Sequence, residues 1–242
     1  MGKIYQFLLN CSNIYVRNEA ETRRFVEAVL WVTRSGAQWR LIPTVYGNWN
    51  SIYKRFGDWC DKGFSHRCTN TSPLTPIWSH SLLTLPSAGL IPAQLVPQKN
   101  GGTENQALGR SRGGFSTKIH LTVDALGNPL RLLLTPGQRN DIVEAEALII
   151  GHNSEYVIGD KGYDSHDFIE VIEANGATAV IPPRSNRTDQ RTYDEHLYKE
   201  RHLVECCINK MKWYRRAFSR FDKLAARYFG FLCFVSSLIW LR

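Results

Sequence analysis

Between Thr117 and Pro183 the hydrophobic pattern switches repeatedly from a period of two to a helical period, and this limits the possible folds more than any other feature of the chain. Ile119, Leu121 and Val123 alternate with His120 and Thr122 as in a half-buried strand. Asp124–Asn128 then reads as a turn and PLRLLLTPG as a returning strand, so residues 117–135 are predicted to form a hairpin. Beyond it, Asp141–Ile150 reads as a helix, EYVIGD as a short buried strand ending at Asp160, SHDFIEVIEANG as a helix stopped by Gly176, and ATAVIPP as another strand. A hairpin followed by strands alternating with helices defines an α/β domain. No internal repeat is present.

The N-terminal part has a different character. Asn18 with Glu21 three residues on resembles a capping box, and Phe25, Ala28, Val29 and Val32 follow with helical spacing up to Gly36. A second amphipathic helix is predicted over Trp49–Lys62, with Ile52, Tyr53, Phe56 and Trp59 on one side. Two such helices joined by GAQWRLIPTVYGN suggest a small all-α, helix-turn-helix-like module over residues 1–64. The formal net charge of +8 favours a polyanionic partner, because clustered Lys and Arg release counterions from phosphates. Arg23, Arg24, Arg34 and Arg40 are candidate phosphate contacts in this module, against the plainer reading of solvated surface charge.

An anionic membrane is the other polyanion to consider. The C-terminal run YFGFLCFVSSLIWLR falls short of the roughly 18–20 apolar residues a spanning helix needs, so it reads as a buried terminal helix. The N-terminal apolar run is too short for a signal peptide, which gives a cytoplasmic reading with no membrane partner. Six cysteines include no CxxC pair and no zinc-type Cys/His spacing, and are read as reduced thiols.

The segment richest in chemistry is YKERHLVECCINKMKWYRR, residues 198–216. On a continuous helix Tyr198, Arg201, Glu205 and Lys212 fall within roughly 60° of one another, while Leu203, Val204, Cys207, Ile208 and Met211 lie away from that stripe. Taken alone, a Glu flanked by Arg and Lys is an ordinary solvated salt-bridge face. Asp160 adds weight, since an acid at the carboxyl end of a buried strand sits where α/β sheets place catalytic groups, although a turn-forming Asp would occupy the same place. Together, Asp160 and Glu205 are candidate hard-oxygen ligands for Mg²⁺ or Mn²⁺.

These residues resemble the DDE transposases of bacterial insertion sequences, of the insertion-sequence-five type. Tyr198, Arg201, Glu205 and Lys212 match the family's Y-x2-R-x3-E-x6-K signature without a gap. GRSRGGFSTKIH, VDALGNPL, TPGQRND, DKGYD and IPPRSNR also look like its blocks, and the resemblance spans about residues 14–64 and 100–242. It implies a ribonuclease-H-like catalytic domain over 100–242, two divalent metal ions, and cut-and-paste movement of DNA ends. It also implies double-stranded DNA as partner, as transposon terminal repeats and target, with a homodimer assembled on it. By this resemblance Asp160 is the second acid and Glu205 the third, while Tyr198, Arg201 and Lys212 contact the DNA backbone near the cleaved end. The basic residues Arg110, Arg112, Lys118, Arg184 and Arg187 of the matched blocks are further expected DNA contacts.

A ribonuclease-H-like fold begins with a central strand bearing the first Asp, here due in roughly residues 75–95. No Asp or Glu occurs between Asp61 and Glu104, and Pro73, Pro76, Pro86, Pro92 and Pro97, half of the chain's ten prolines, crowd the same window. If the codon of Leu83 ends in G, the neighbouring frame through Leu83–Ser87 can spell Asp-Ser-Thr-Ile, and Ile91–Pro97 can spell His-Pro-Cys-Ser-Ala-Gly-Ala. Both match what the family places there. Residues 65–99 are therefore read as an aberrant segment standing in place of the first core strand, out of frame over about 65–98 and expected to be irregular; a divergent insertion is the alternative. A catalytically defective transposase, or a DNA-binding remnant that occupies transposon ends without cutting them, follows from that reading.

Overall fold

The computed structural model describes residues 2–11, 14–62, 80–84, 87–89, 106–111, 114–188 and 190–241. Three helices come first: α1 (Gly2–Leu9), α2 (Glu19–Ser35) and α3 (Trp49–Asp61). The Asn18 side chain accepts the Glu21 amide at 2.9 Å and so caps α2, while Glu21 turns its own carboxylate to Arg17 at 3.0 Å. Gly36 ends the helix at φ 67°, a left-handed conformation that costs glycine nothing. On α3, Asn48 supplies the cap, and Ile52, Phe56, Trp59 and Cys60 form the buried face.

Seven strands of the described residues form one sheet: β1 (His80–Thr84), β2 (Ser87–Gly89), β3 (Gly109–Ser111), β4 (Gly114–Val123), β5 (Pro129–Pro136), β6 (Tyr156–Gly159) and β7 (Thr178–Val180). Pairing runs from β5 through β4, β1 and β6 to β7, antiparallel between β5, β4 and β1 and parallel from β1 to β7. β4 and β5 are the predicted hairpin. Its turn is closed by Asp124, whose carboxylate accepts the amides of Leu126 and Asn128, with Gly127 at φ 76°.

The expected irregularity of residues 65–98 is corrected at the centre of the sheet. His80–Thr84 is the strand between β4 and β6, pairing Leu82 with both Val123 and Ile158. The physical reason is that a ladder needs backbone donors, and this five-residue run contains no proline; Pro76 and Pro86 lie outside it. A strand covered on both faces also needs no alternation of apolar and polar residues.

Helices cover both faces. α4 (Ala145–Ile149), preceded by a 3₁₀ turn over Asp141–Glu144, and α5 (His166–Ala174) enclose a core of Leu148, Val157, Tyr163, Phe168, Ile172 and Ile181. The opposite face, carrying Ile119, Leu121, Val123 and Ile158, packs with α6 (Glu195–Tyr198), α7 (His202–Lys212), α8 (Arg215–Phe218), α9 (Ala225–Trp240), α2 and α3 in one continuous core. α9 is the C-terminal run, with Tyr228, Phe231, Leu232, Cys233 and Val235 fully buried. Phe231 stacks on Phe56 of α3 with ring centroids 4.4 Å apart. At Gly230 a Cβ would stand 2.3 Å from the Cys60 sulfur, so only glycine lets the two helices approach this closely. Among the described residues no helix is long and apolar enough to cross a membrane. Cys11, Cys60, Cys207 and Cys233 are buried and Cys206 exposed, none of them in a disulfide among the described residues, while Cys68 lies outside those residues.

His120 is fully buried on the α4 side, its Nε2 2.6 Å from the Thr135 hydroxyl. Burial pushes its imidazole down to about 4, with Asp141 partly opposing and Lys118 and Arg139 reinforcing. A folded value below the ordinary 6.5 means that the unfolded chain takes up the proton first. Stability is expected to fall as pH drops from about 6.5 towards about 4, and the His120 ring resonances should stay unshifted from pH 8 to 5.5. Titration of this ring near 6.5 would contradict its burial.

Candidate active site

Strand alternation determines which residues can meet. Val157 faces the core beneath α4 and α5, whereas Ile158 faces the core shared with α7. Asp160, two residues after Ile158, therefore continues on the α7 side of the sheet. On β1, Thr84 is paired with Leu121, which faces the same side, and the next step of the β1–β6 register after Leu83 and Gly159 sets position 84 beside Asp160. α7 lies across β1 and β4 on this face, burying Val204, Cys207 and Met211 and carrying Glu205. The sheet rim thus sets position 84 beside Asp160, while α7, which bears Glu205, crosses the same face from a first turn that lies against the β4–β5 turn, with Leu203 next to Gly127. At position 84 the sequence has threonine.

Asp160 caps a 3₁₀ turn over Lys161–Tyr163, its carboxylate accepting the Gly162 amide at 2.8 Å. The turn is held from outside by Arg184, whose guanidinium donates to the carbonyls of Lys161 (3.1 Å) and Gly162 (2.8 Å). Four residues after Asp160, the side chain of Asp164 is wholly buried and accepts the Arg184 amide (2.8 Å), Arg187 (2.7 Å) and Arg191 (3.3 Å). Burial alone would raise the Asp164 carboxyl; the Arg184 amide and the two guanidinium groups outweigh it and hold the group below the usual range. Arg184 and Arg187 thus have internal partners that fix the Asp160 turn.

The signature segment is not one continuous helix. Glu195–Tyr198 (α6) is followed by a 3₁₀ turn over Lys199–Arg201, and only then by α7. The tighter turn advances about 120° per residue, which breaks the stripe computed for an unbroken α-helix. Tyr198 consequently packs edge-on against Tyr193, with centroids 5.6 Å apart. Arg201 still reaches Glu205 at 2.5 Å, and Glu205 remains 55% exposed. Lys212 donates to Asn209 at 3.2 Å.

Of the other basic candidates, Arg110 is exposed on β3, Lys118 is paired with Asp141 at 2.5 Å, and Arg112 lies outside the described residues. In the N-terminal part Arg23 pairs with Glu27 at 3.0 Å, Arg34 lies over the Tyr214 ring and Arg40 over Trp49. Sequence reasoning missed Asp164 and Arg191 as the anchors of the Asp160 turn; the second acid of DKGYD was their one visible signal.

Among the described residues no three His, Cys, Asp or Glu side chains form a group that could hold a metal ion. Two carboxylates, one engaged by a backbone amide and the other by Arg201, do not fit a pair of divalent ions, which need more hard-oxygen donors.

A mixed sheet with helices on both faces, with Asp160 at the end of its middle parallel strand and Glu205 on a helix packed across it, defines an α/β protein. Residues 86–229 match the family model described as "Transposase DDE domain", and residues 7–69 match "Putative transposase of IS4/5 family (DUF4096)". The chain belongs to the DDE transposase family, as a transposase of an insertion sequence. Among curated proteins, it is 41% identical over 130 residues to a putative transposase for insertion sequence element IS6501 from Brucella ovis, a match covering 53% of this chain and all of the relative. An uncharacterized protein, y4sN, of Sinorhizobium fredii is 37% identical over 41 residues, 17% of this chain and 33% of that protein. A solved piggyBac transposase synaptic complex with hairpin DNA aligns with a TM-score of 0.40 and 13% identity, over 72% of this chain and 44% of that one. The family is generally dependent on divalent metal.

Proposed function

We propose that this chain is an insertion-sequence transposase that retains recognition of transposon-end DNA and lacks end cleavage and strand transfer. The observation that carries the proposal is the threonine at position 84, the register position beside Asp160 on the face that α7 covers. The out-of-frame reading draws its Asp from the last base of the Leu83 codon and the first two of the Thr84 codon, at the same end of β1. Asp160 and Glu205 are the remaining acids of the set the family resemblance implies, too few to position both ions of a two-metal reaction.

The sheet path, three antiparallel strands followed by two parallel ones with helices on both faces, supports a ribonuclease-H-like reading of residues 100–242 together with β1. Residues 1–64 are assigned to DNA binding, on the strength of two capped helices and their basic surface. Tyr198, Arg201 and Lys212 are assigned to the DNA backbone at the transposon end, in a cytoplasmic homodimer formed on DNA.

The expected result is binding to duplex DNA carrying the element's terminal repeats, with affinity falling steeply as salt rises, and no cut strand in Mg²⁺ or Mn²⁺. Gel-shift and cleavage assays on the same DNA read both. Salt-independent binding, or none at low ionic strength, would contradict the DNA-binding half, and cleavage by the chain as it stands would contradict the other.

A further inference from the structure

We infer that a cleft between α2 and α3 is a binding site for a DNA backbone phosphate, with Arg55 as its central donor; this deepens the DNA-binding reading above and rests on it. The cleft has a volume of about 500 Å³ and is lined by the cations Arg17, Arg24, Lys54, Arg55 and Lys62. Only two acids line it, Glu21 and Asp58, and Glu21 is paired with Arg17 at 3.0 Å. Five positive charges against two leave a local excess facing the opening.

Arg55 sets this cleft apart from ordinary basic surface. Its guanidinium lies 4.3 Å from the Phe25 ring centroid and 5.4 Å from that of Trp59, both buried. Nε and Nη2 are covered and have no hydrogen-bond partner. Nη1 is thus left as the donor open to the cleft. Burial, followed by the charge of Arg17, lowers the affinity of this group for its proton, with Glu21 and Tyr15 opposing. A desolvated cation without a direct carboxylate partner is costly, and an anion entering the cleft would relieve that cost. The aromatic faces fix the plane of the guanidinium in advance, so less side-chain entropy is lost when a phosphate oxygen is bound. A phosphodiester suits the place better than a carboxylate side chain, because the surrounding Arg24, Lys54 and Lys62 spread charge along the opening as a nucleic-acid backbone requires.

The test compares the unaltered chain with Arg55→Met, which keeps an apolar stem over Phe25 and Trp59, and with Arg55→Lys, which keeps the charge and loses the planar fork. Circular dichroism and thermal melting establish that each variant is folded. Affinity for a duplex oligonucleotide is measured across salt concentrations, and Tm is measured with and without inorganic phosphate. The expected result is a salt slope smaller by about one in Arg55→Met, with Arg55→Lys in between, and a phosphate-dependent rise in Tm that only the unaltered chain shows in full. An unchanged slope in a folded Arg55→Met variant overturns the inference while leaving DNA binding intact. A phosphate effect on Tm with an unchanged DNA slope overturns it in favour of a small-anion site. Failure of the unaltered chain to bind duplex DNA overturns both this inference and the DNA-binding reading.

Discussion

Replacing residues 65–98 by their translation in the neighbouring frame is expected to raise cleavage at the terminal repeats from undetectable to measurable, by at least roughly 10²-fold. That is the scale of loss when reacting groups are misplaced by about 1 Å, and a site missing one metal-binding carboxylate misplaces its ions by more. The gain requires the new acid to stand beside Asp160 on the face covered by α7, which is where the β1 register sets position 84. Thr84→Asp alone should recover part of the activity, since it supplies the carboxylate without the flanking residues. Strand-cleavage assays on labelled terminal-repeat DNA in Mg²⁺ and Mn²⁺ check both forms. No gain from the re-read protein, when folded and bound to that DNA, would mean that the loss lies elsewhere.

Asp164→Ala is expected to be the most damaging single change to the fold of the catalytic region, costing about 3 kcal/mol or more. The side chain is wholly buried, and its removal strands Arg187 and Arg191, both mostly covered, with the Arg184 amide. Asp164→Asn should lose most of the same stability, because a neutral amide keeps an acceptor and loses the charge. The carboxyl is held below the ordinary 3.8, so the unfolded chain binds its proton first on acidification. Its contribution is fully present above about pH 4 and is lost as pH falls through the lower folded value. Urea midpoints at pH 7 and pH 3 read both effects; variants within about 0.5 kcal/mol of the parent at pH 7 would deny the anchor its role.

The β4–β5 hairpin was legible because alternation and a polar turn are local signals, and the strand ending at Asp160 was legible because it is a short apolar run closed by a turn-forming acid. The segmentation of the signature helix was not, since Lys199–Arg201 contains no residue that forbids an α-helix and the 3₁₀ turn is a product of packing. β1 was misjudged for a related reason. Prolines on either side suggested disruption, yet the ladder uses only the five residues between them, and neighbours β4 and β6 supply its pattern. The internal engagement of Arg184 and Arg187 was equally hidden, because their partner Asp164 lies about twenty residues away in sequence and meets them only after the sheet has formed.

The nucleotide sequence across codons 60 to 102 tests the loss of the first acid most directly. A codon for Leu83 ending in G, with Asp-Ser-Thr in the neighbouring frame and compensating shifts near the two ends of the segment, is the expected result. Absence of Asp-Ser-Thr from both alternative frames would contradict a frame change and leave residues 65–98 as a divergent insertion.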